Sequence, residues 1–175
     1  MAQEKFVERR RENRLPYDEK MIFSDGEHSL TGYAVNISRG GMFMKTLDPL
    51  PIDTIGYLAF MLINHNQSFC MKAKIAHMVF DRQRCEVECG IGIQLMDLTE
   101  AQKSILNLHI LNEQKNYLEL KKILAPSKPD SAQLAVALKK MPTLAKLDLL
   151  ALRYRVNRIC TLFEPTPQII DEDAA

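Results

Sequence analysis

The chain contains no tryptophan, and only 7% of its 175 residues are aromatic. It also has no run of about 18 consecutive apolar residues, so we expect no transmembrane segment, and no signal peptide is apparent at its start. Lys and Arg (23) nearly balance Asp and Glu (22), which gives a net charge of +1. These shortages argue against a basic, aromatic-rich surface for nucleic acid. We expect a cytoplasmic protein that does not bind DNA.

Cysteine and histidine residues are too few and too scattered to form a metal site. The four Cys, at positions 70, 85, 89 and 160, form no CxxC pair, so no zinc site is expected. Without a secretory signal, we expect these thiols to be reduced. The sequence also has no GxSxG, HExxH or P-loop motif, and no His is identifiable as a base for Ser38. We therefore expect no enzyme.

What the first half of the chain does contain is a series of short strand patterns separated by turns. Asp25-Gly26 is a typical hairpin dipeptide, and Gly90 and Gly92 indicate a bulge, a bend or a close backbone approach within the last strand. No helical pattern interrupts the series, which predicts an antiparallel sandwich or a small closed barrel. The predicted strands are residues 19–24, 28–37, 42–46, 55–63, 68–80 and 85–98.

Alternation along the longest of these strands predicts which side chains point inward. Lys72 and Lys74 fall on one face of the strand 68–80. The lone His77 falls on the other face, and we expect it to be an ordinary barrel residue and not a ligand. The predicted inward face consists of Phe69, Met71, Ala73, Ile75, His77 and Val79.

The hydrophobic period becomes helical at residue 99. Thr99 and Gln102 have the spacing of a capping box, which predicts a helix over residues 99–124. A linker rich in proline follows at 125–129. Two further helices are predicted at 131–141 and 143–164. Residues 165–175 are expected to form a disordered acidic tail.

The last predicted helix carries an apolar seam with heptad-like spacing. A stripe this wide must be buried, either by packing within the chain or against a second subunit. Because only two other helices can cover it, we favour self-association and expect a homo-oligomer. The residues expected at that interface are Leu149, Leu152, Val156, Ile159 and Phe163.

Two polar motifs stand out in the N-terminal part of the chain. Arg10 and Arg14 form its only Arg-x-x-x-Arg pair, and Asn36, Ser38 and Gly41 form an Asn-x-Ser-x-x-Gly pattern. Taken alone, the first is typical of a solvated charge cluster, and the second of a turn capped by its own side chains. The arginine pair precedes the predicted strands and the Asn-x-Ser-x-x-Gly turn lies among them. This arrangement makes the two motifs together more specific than either one alone.

Together with the segment Gly90-Ile91-Gly92-Ile93-Gln94-Leu95, these motifs resemble those of the PilZ family, bacterial receptors for the second messenger cyclic di-GMP. The resemblance covers about residues 8–98. It implies an all-β, six-stranded antiparallel barrel followed by an α-helical C-terminal extension. We accordingly expect a loosely ordered N-terminus at 1–8, the barrel at 9–98 and the helical extension at 99–164. The ligand implied is cyclic di-GMP, without a further cofactor.

The resemblance also implies which residues bind the ligand. Arg10 and Arg14 would contact guanine and phosphate, since a guanidinium can bind either one bidentately and can stack on a base. Asn36, where Asp is the commoner residue, and Ser38 would contact guanine. Gly41 would allow an unusual turn conformation or a close approach to the ligand. The complete implied set is Arg9, Arg10, Arg14, Asn36, Ser38, Gly40 and Gly41.

Arg9 adds a third guanidinium, and we expect two intercalated ligand molecules per protomer. The hypothesis is that the segment 9–14 wraps the ligand on binding. The protein would then relay binding, through this segment and the C-terminal helices, to an unidentified protein effector. Two alternatives remain: a PilZ-like protein–protein adaptor that does not depend on cyclic di-GMP, and a small barrel that binds nucleic acid, which the near-zero net charge disfavours.

Overall fold

The computed structural model describes residues 14–62, 67–79 and 89–163. The expected N-terminus at 1–8 and the acidic tail at 165–175 lie outside them. The chain divides into two compact units, Met1–Ile110 and Leu111–Ala175. The elements are β1 Leu15–Pro16, β2 Lys20–Ser24, β3 Ser29–Ile37, β4 Gly41–Lys45, β5 Ile55–Leu62, β6 Gln67–Val79, β7 Gly90–Leu95, α1 Glu100–Leu124, α2 Ser131–Lys139 and α3 Leu149–Cys160.

The first unit is a closed antiparallel barrel, as the sequence predicts. The strand order is β1-β3-β2-β5-β6-β7-β4, and pairing of β3 with β4 closes the ring of six strands, β2 to β7. The additional strand β1 lies beside β3, with Leu15 opposite Ile37. Because Pro16 favours extended backbone in the residue before it, Leu15 readily adopts the conformation of a β-strand. Closure leaves no long edge open to other chains.

Alternating side chains fill the barrel, as a period of two requires. A tight turn at Asp25-Gly26 joins β2 to β3, and Gly26 adopts a φ of +99° that side chains disfavour. The hairpin prediction is confirmed. The largest fully buried barrel side chains are Phe23, Leu15, Met21, Ile37, Met42, Met44, Leu58, Leu62, Met71, Ile75 and Ile91.

The prediction that the side chain of His77 points into the barrel is wrong. The pairing of β6 with β7 shifts register between Ile75 and His77, which indicates a β-bulge, where one extra residue interrupts the alternation. Ile75 is fully buried, whereas His77 is exposed on the outer face of the barrel. The expectation of reduced thiols is also wrong for Cys89, which is disulfide-bonded, whereas Cys70 and Cys160 form no disulfide.

The capping box at the start of α1 is confirmed. The backbone N–H of Thr99 donates to Gln102 Oε1 at 2.9 Å, and the N–H of Gln102 donates to Thr99 Oγ1 at 3.2 Å. The helix runs to Leu124, its predicted end. The last barrel strand ends at Leu95, and the division between the two units lies inside this helix, after Ile110.

The helix α3 begins at Leu149, later than the predicted residue 143, and ends at Cys160 and not at 164. The carboxylate of Asp148 accepts a hydrogen bond from the N–H of Ala151 at 2.9 Å and caps the helix. The preceding residues form turns, in which the N–H of Leu144 donates to the carbonyl of Met141 at 3.0 Å. The cap and these turns, which follow Pro142, explain the shorter helix.

Candidate ligand site

The short strand β1 brings one arginine of the Arg-x-x-x-Arg pair to the Asn-x-Ser-x-x-Gly loop. Leu15 lies opposite Ile37 in antiparallel register, so the preceding residue, Arg14, is positioned beside Ser38. The side chain of Arg14 is half-buried. The pair's other member, Arg10, lies outside the described residues. The fold therefore brings Arg14, one of the two arginines of the first motif, beside the Asn-x-Ser-x-x-Gly loop.

Tyr17 anchors the segment that follows Arg14. It is 5% exposed, and its N–H donates to the carbonyl of Val35 at 3.1 Å. Its hydroxyl donates to the carbonyl of Met61 on β5, and its ring meets that of His109 edge-on, with centroids 5.8 Å apart. These contacts fix the chain immediately after the arginine to the barrel and to α1.

Asn36 has a buried acceptor without a donor. Its Oδ1 atom is inaccessible to solvent and accepts no hydrogen bond from the residues that the structure describes. A register shift between Ala34 and Asn36 accompanies this position on β3, and bulges of this kind redirect side chains. A buried, unsatisfied carbonyl costs roughly 1–3 kcal/mol. An N–H donor on a ligand would remove that cost.

Ser38 closes its own turn. Its side chain is 7% exposed; its N–H donates to the carbonyl of Gly41 at 2.8 Å, and its hydroxyl donates to the same oxygen at 3.2 Å. The hydroxyl proton is therefore committed within the loop. Towards a ligand, Ser38 offers the lone pairs of its oxygen.

Gly41 is required by the sheet and not by an unusual turn conformation. Among the described glycines only Gly26 has a positive φ. A Cβ atom at Gly41 would lie 2.1 Å from the carbonyl oxygen of Ile93 on β7, a distance that no carbon atom tolerates. The neighbouring Gly40 accepts a hydrogen bond from the N–H of Leu95 at 3.0 Å. Both glycines thus hold the loop against β7.

Beside the loop lies a cavity of about 410 Å³. Asn107 Oδ1, at its wall, is buried and accepts no hydrogen bond from the described part of the chain. Lys103 and Glu100, also at the wall, form an ion pair at 2.7 Å. The cavity is lined by Arg39, Leu98, Glu100, Lys103, Ser104, Leu106 and Asn107. The loop and the first two turns of α1 therefore share one concavity.

The apolar seam of the last helix is largely buried within the chain. Leu152, Val156 and Ile159 are 1%, 0% and 5% exposed. Leu149 is 40% exposed, and Phe163 is half-buried. Packing within the chain, one of the two interpretations of the seam, therefore accounts for its three central residues.

Two residues of the site region were not identified from the sequence. Tyr17 lies outside the predicted strands, and no spacing relates it to His109. Arg39 was treated only as a spacer within the loop motif. Their proximity to other site residues depends on the pairing of distant strands, for which a single sequence carries no periodic signal.

Two further properties bear on the class of site. Across residues 14–62, 67–79 and 89–163, no group of three or more His, Cys, Asp or Glu side chains is arranged to hold a metal ion. In the same ranges, every helix is too short or too polar to span a lipid bilayer.

Comparison with protein families finds a match to the PilZ domain over residues 8–112. Among solved structures, the chain is similar to the Bacillus subtilis inhibitor of motility MotI/DgrA (16% identity, TM-score 0.52). It is also similar to Escherichia coli YcgR in complex with c-di-GMP (14%, 0.53) and to the K. pneumonia MrkH–c-di-GMP complex (17%, 0.51). No curated protein sequence matches the chain.

These structural matches extend over only part of each chain. They include 66%, 65% and 61% of this chain, but 57%, 49% and 52% of the MotI/DgrA, YcgR and MrkH chains. The chain thus spans about half the length of those proteins. At such low identity, the similarity concerns the fold.

Replacing Gly41 tests its assignment to the sheet. We expect Gly41→Ala to lower the free energy of unfolding by about 1–3 kcal/mol without any ligand, because the added methyl group collides with the β7 backbone. Thr31→Ala, an exposed change on the adjoining strand, should stay within about 0.5 kcal/mol of wild type. Chemical denaturation measures both. An unchanged midpoint for Gly41→Ala would contradict the assignment.

Proposed function

Because the chain belongs to the PilZ domain family, we propose that it is a non-catalytic receptor for cyclic di-GMP. The observation that carries this proposal is the buried Oδ1 atom of Asn36, which lacks a donor within the described structure. The imino and amino groups on the edge of a guanine are donors of the kind this atom needs. Two of the similar structures, YcgR and MrkH, are complexes with c-di-GMP.

The negative charge of the ligand suggests a role for the Arg-x-x-x-Arg motif. Cyclic di-GMP has two phosphates and two guanines, and a guanidinium can bind a phosphate or the O6 and N7 atoms of guanine in the same fork geometry. Arg14, beside Ser38 at the start of β1, is suited to this role. Arg9 and Arg10 would complete the basic segment, and a third guanidinium supports two intercalated ligands per protomer.

The route of the signal is proposed to begin at the loop. Arg39 lines the same cavity as Lys103 and Asn107 of α1, so a ligand that displaces the loop also alters the wall formed by the helix. The basic segment provides a second route, because Tyr17, three residues after Arg14, contacts His109 of the same helix. Both routes lead to α1 and from there to a protein effector.

One observation favours the alternative function of a protein–protein adaptor independent of cyclic di-GMP. Leu150 and Tyr154 on α3 are 79% and 68% exposed, and they lie one helical turn apart on the same face. Exposed apolar side chains of this size are typical of interaction surfaces when they cluster. This surface would serve an adaptor whether or not the barrel binds a ligand.

Titration calorimetry with cyclic di-GMP on the full chain tests the receptor directly. We expect saturable binding of two ligands per chain, and a thermal shift equivalent to about 2.7 kcal/mol for each bound ligand at about 100 times the dissociation constant. One ligand per chain would contradict the proposed stoichiometry alone. Absence of binding would reject the receptor and leave the adaptor.

Asn36→Ala separates a binding role from a structural one. Removing an unsatisfied buried carbonyl should leave the unfolding free energy of the ligand-free protein unchanged or slightly higher. The same change should weaken cyclic di-GMP binding by roughly 5- to 150-fold, the equivalent of about 1–3 kcal/mol. Asn157→Ala, an exposed amide on α3, is the matched control and should alter neither quantity. Normal affinity in Asn36→Ala would exclude the proposed contact.

Self-association is proposed to use the apolar face of α3 that remains exposed. We expect light scattering to give a mass above that of the 20.0 kDa chain, and the double variant Leu150→Glu/Tyr154→Glu to be monomeric, because two buried charges disfavour the interface. Leu47→Glu, at a site 71% exposed in the barrel unit, should keep the wild-type mass. A monomeric wild-type protein would refute the homo-oligomer.

A further inference from the structure

A row of four residues crosses the barrel surface from the loop motif. The register pairs Asn36 with Phe43, Phe43 with Gly92, and Gly92 with His77. Residues directly opposite each other in antiparallel strands project to the same face. With a spacing of about 4.8 Å between neighbouring strands, the row extends over roughly 14 Å. It runs through β3, β4, β7 and β6.

The burial of neighbouring residues shows that this row faces outward. Phe43 and Gly92 alternate with side chains that fill the barrel, so they project to its outer surface. His77 follows the bulge in β6 and is exposed, while Phe43 is half-buried. The flanking residues on β4 and β7, all 2% exposed or less, are Met42, Met44, Ile91 and Ile93.

Two glycines lie directly beneath the aromatic rings of this row. A Cβ atom at Gly92 would lie 1.8 Å from Cε1 of His77, and one at Gly90 would lie 2.8 Å from Cε1 of Phe43. The two rings have centroids 6.2 Å apart and planes inclined by 30°. Both rings thus rest on bare backbone and lie side by side.

We propose that Phe43 and His77 form a stacking platform for a purine base of the ligand, with Asn36 at its edge. The rings would contact the face of the base, and Asn36 Oδ1 would accept a hydrogen bond from an N–H group on its edge. The buried, unsatisfied acceptor and the two rings lie in one cross-strand row, which brings an edge contact and a stacking contact to the same side of the barrel. This assignment rests on the proposed function and adds two residues to its site.

The rings also have a structural role that the test must separate from binding. Aromatic side chains that cover glycines stabilise a sheet without any ligand. If that were their only role, replacing Phe43 or His77 would lower the unfolding free energy and leave the affinity for cyclic di-GMP unchanged. A direct optical signal from the platform distinguishes the two roles.

The absence of tryptophan from the chain provides that signal. Phe43→Trp and His77→Trp each introduce a single fluorophore that keeps an aromatic ring in the row. We expect cyclic di-GMP to quench the emission of both variants, with the midpoint that calorimetry gives for the same variant. Tyr57→Trp, at a site 60% exposed on β5, is the matched control and should show no quenching.

Removing the rings measures their contribution to binding. We expect Phe43→Leu and His77→Leu each to weaken cyclic di-GMP binding by roughly 5- to 150-fold, as for loss of one base–aromatic stack, whereas Tyr57→Leu should bind as wild type. The platform would be overturned, and the receptor left intact, if the wild-type protein binds cyclic di-GMP, the two Trp variants show no quenching and the two Leu variants bind with normal affinity. No binding by the wild-type protein would reject both proposals.

Discussion

The barrel depends on strand β3, which pairs with three other strands through its two edges. One edge pairs with β4, and the other is divided between β2, opposite Ser29–Tyr33, and β1, opposite Asn36 and Ile37. This division closes the barrel and brings the residue before β1 to the loop. Because backbone groups in this segment are largely occupied by the sheet and the turn, side chains and not amides remain for recognition.

The sequence predicted those features that repeat or have local signatures. The strand positions follow alternation, the barrel follows the family resemblance, and the start of α1 follows from Thr99 and Gln102. The register shifts before Asn36 and His77 could not be predicted, because one extra residue in a strand changes the face of every later side chain without changing composition. The start of α3 was misplaced because apolar spacing continues through turns where Leu144 is fully buried.

A scarcity of aromatic residues argues against an aromatic-rich surface for nucleic acid, but it does not prevent two rings from meeting at one site. Composition limits how many rings a surface can have, but register decides whether two of them meet. Phe43 and His77 are 34 positions apart in sequence and become neighbours across Gly92 only through the pairing of β4, β7 and β6. The glycines of β7, which from sequence indicated only a bulge, a bend or a close approach, provide the space for the rings.

The attachment of β1 has a consequence for the basic segment that follows from covalent geometry alone. An extended chain spans at most about 3.5 Å per residue, so Arg10, five positions before Leu15, stays within roughly 17 Å of the barrel edge in any conformation. The strand therefore acts as a tether of fixed length. It keeps the local concentration of guanidinium groups high around the loop, so a ligand bound there as proposed would meet Arg10 as an intramolecular partner.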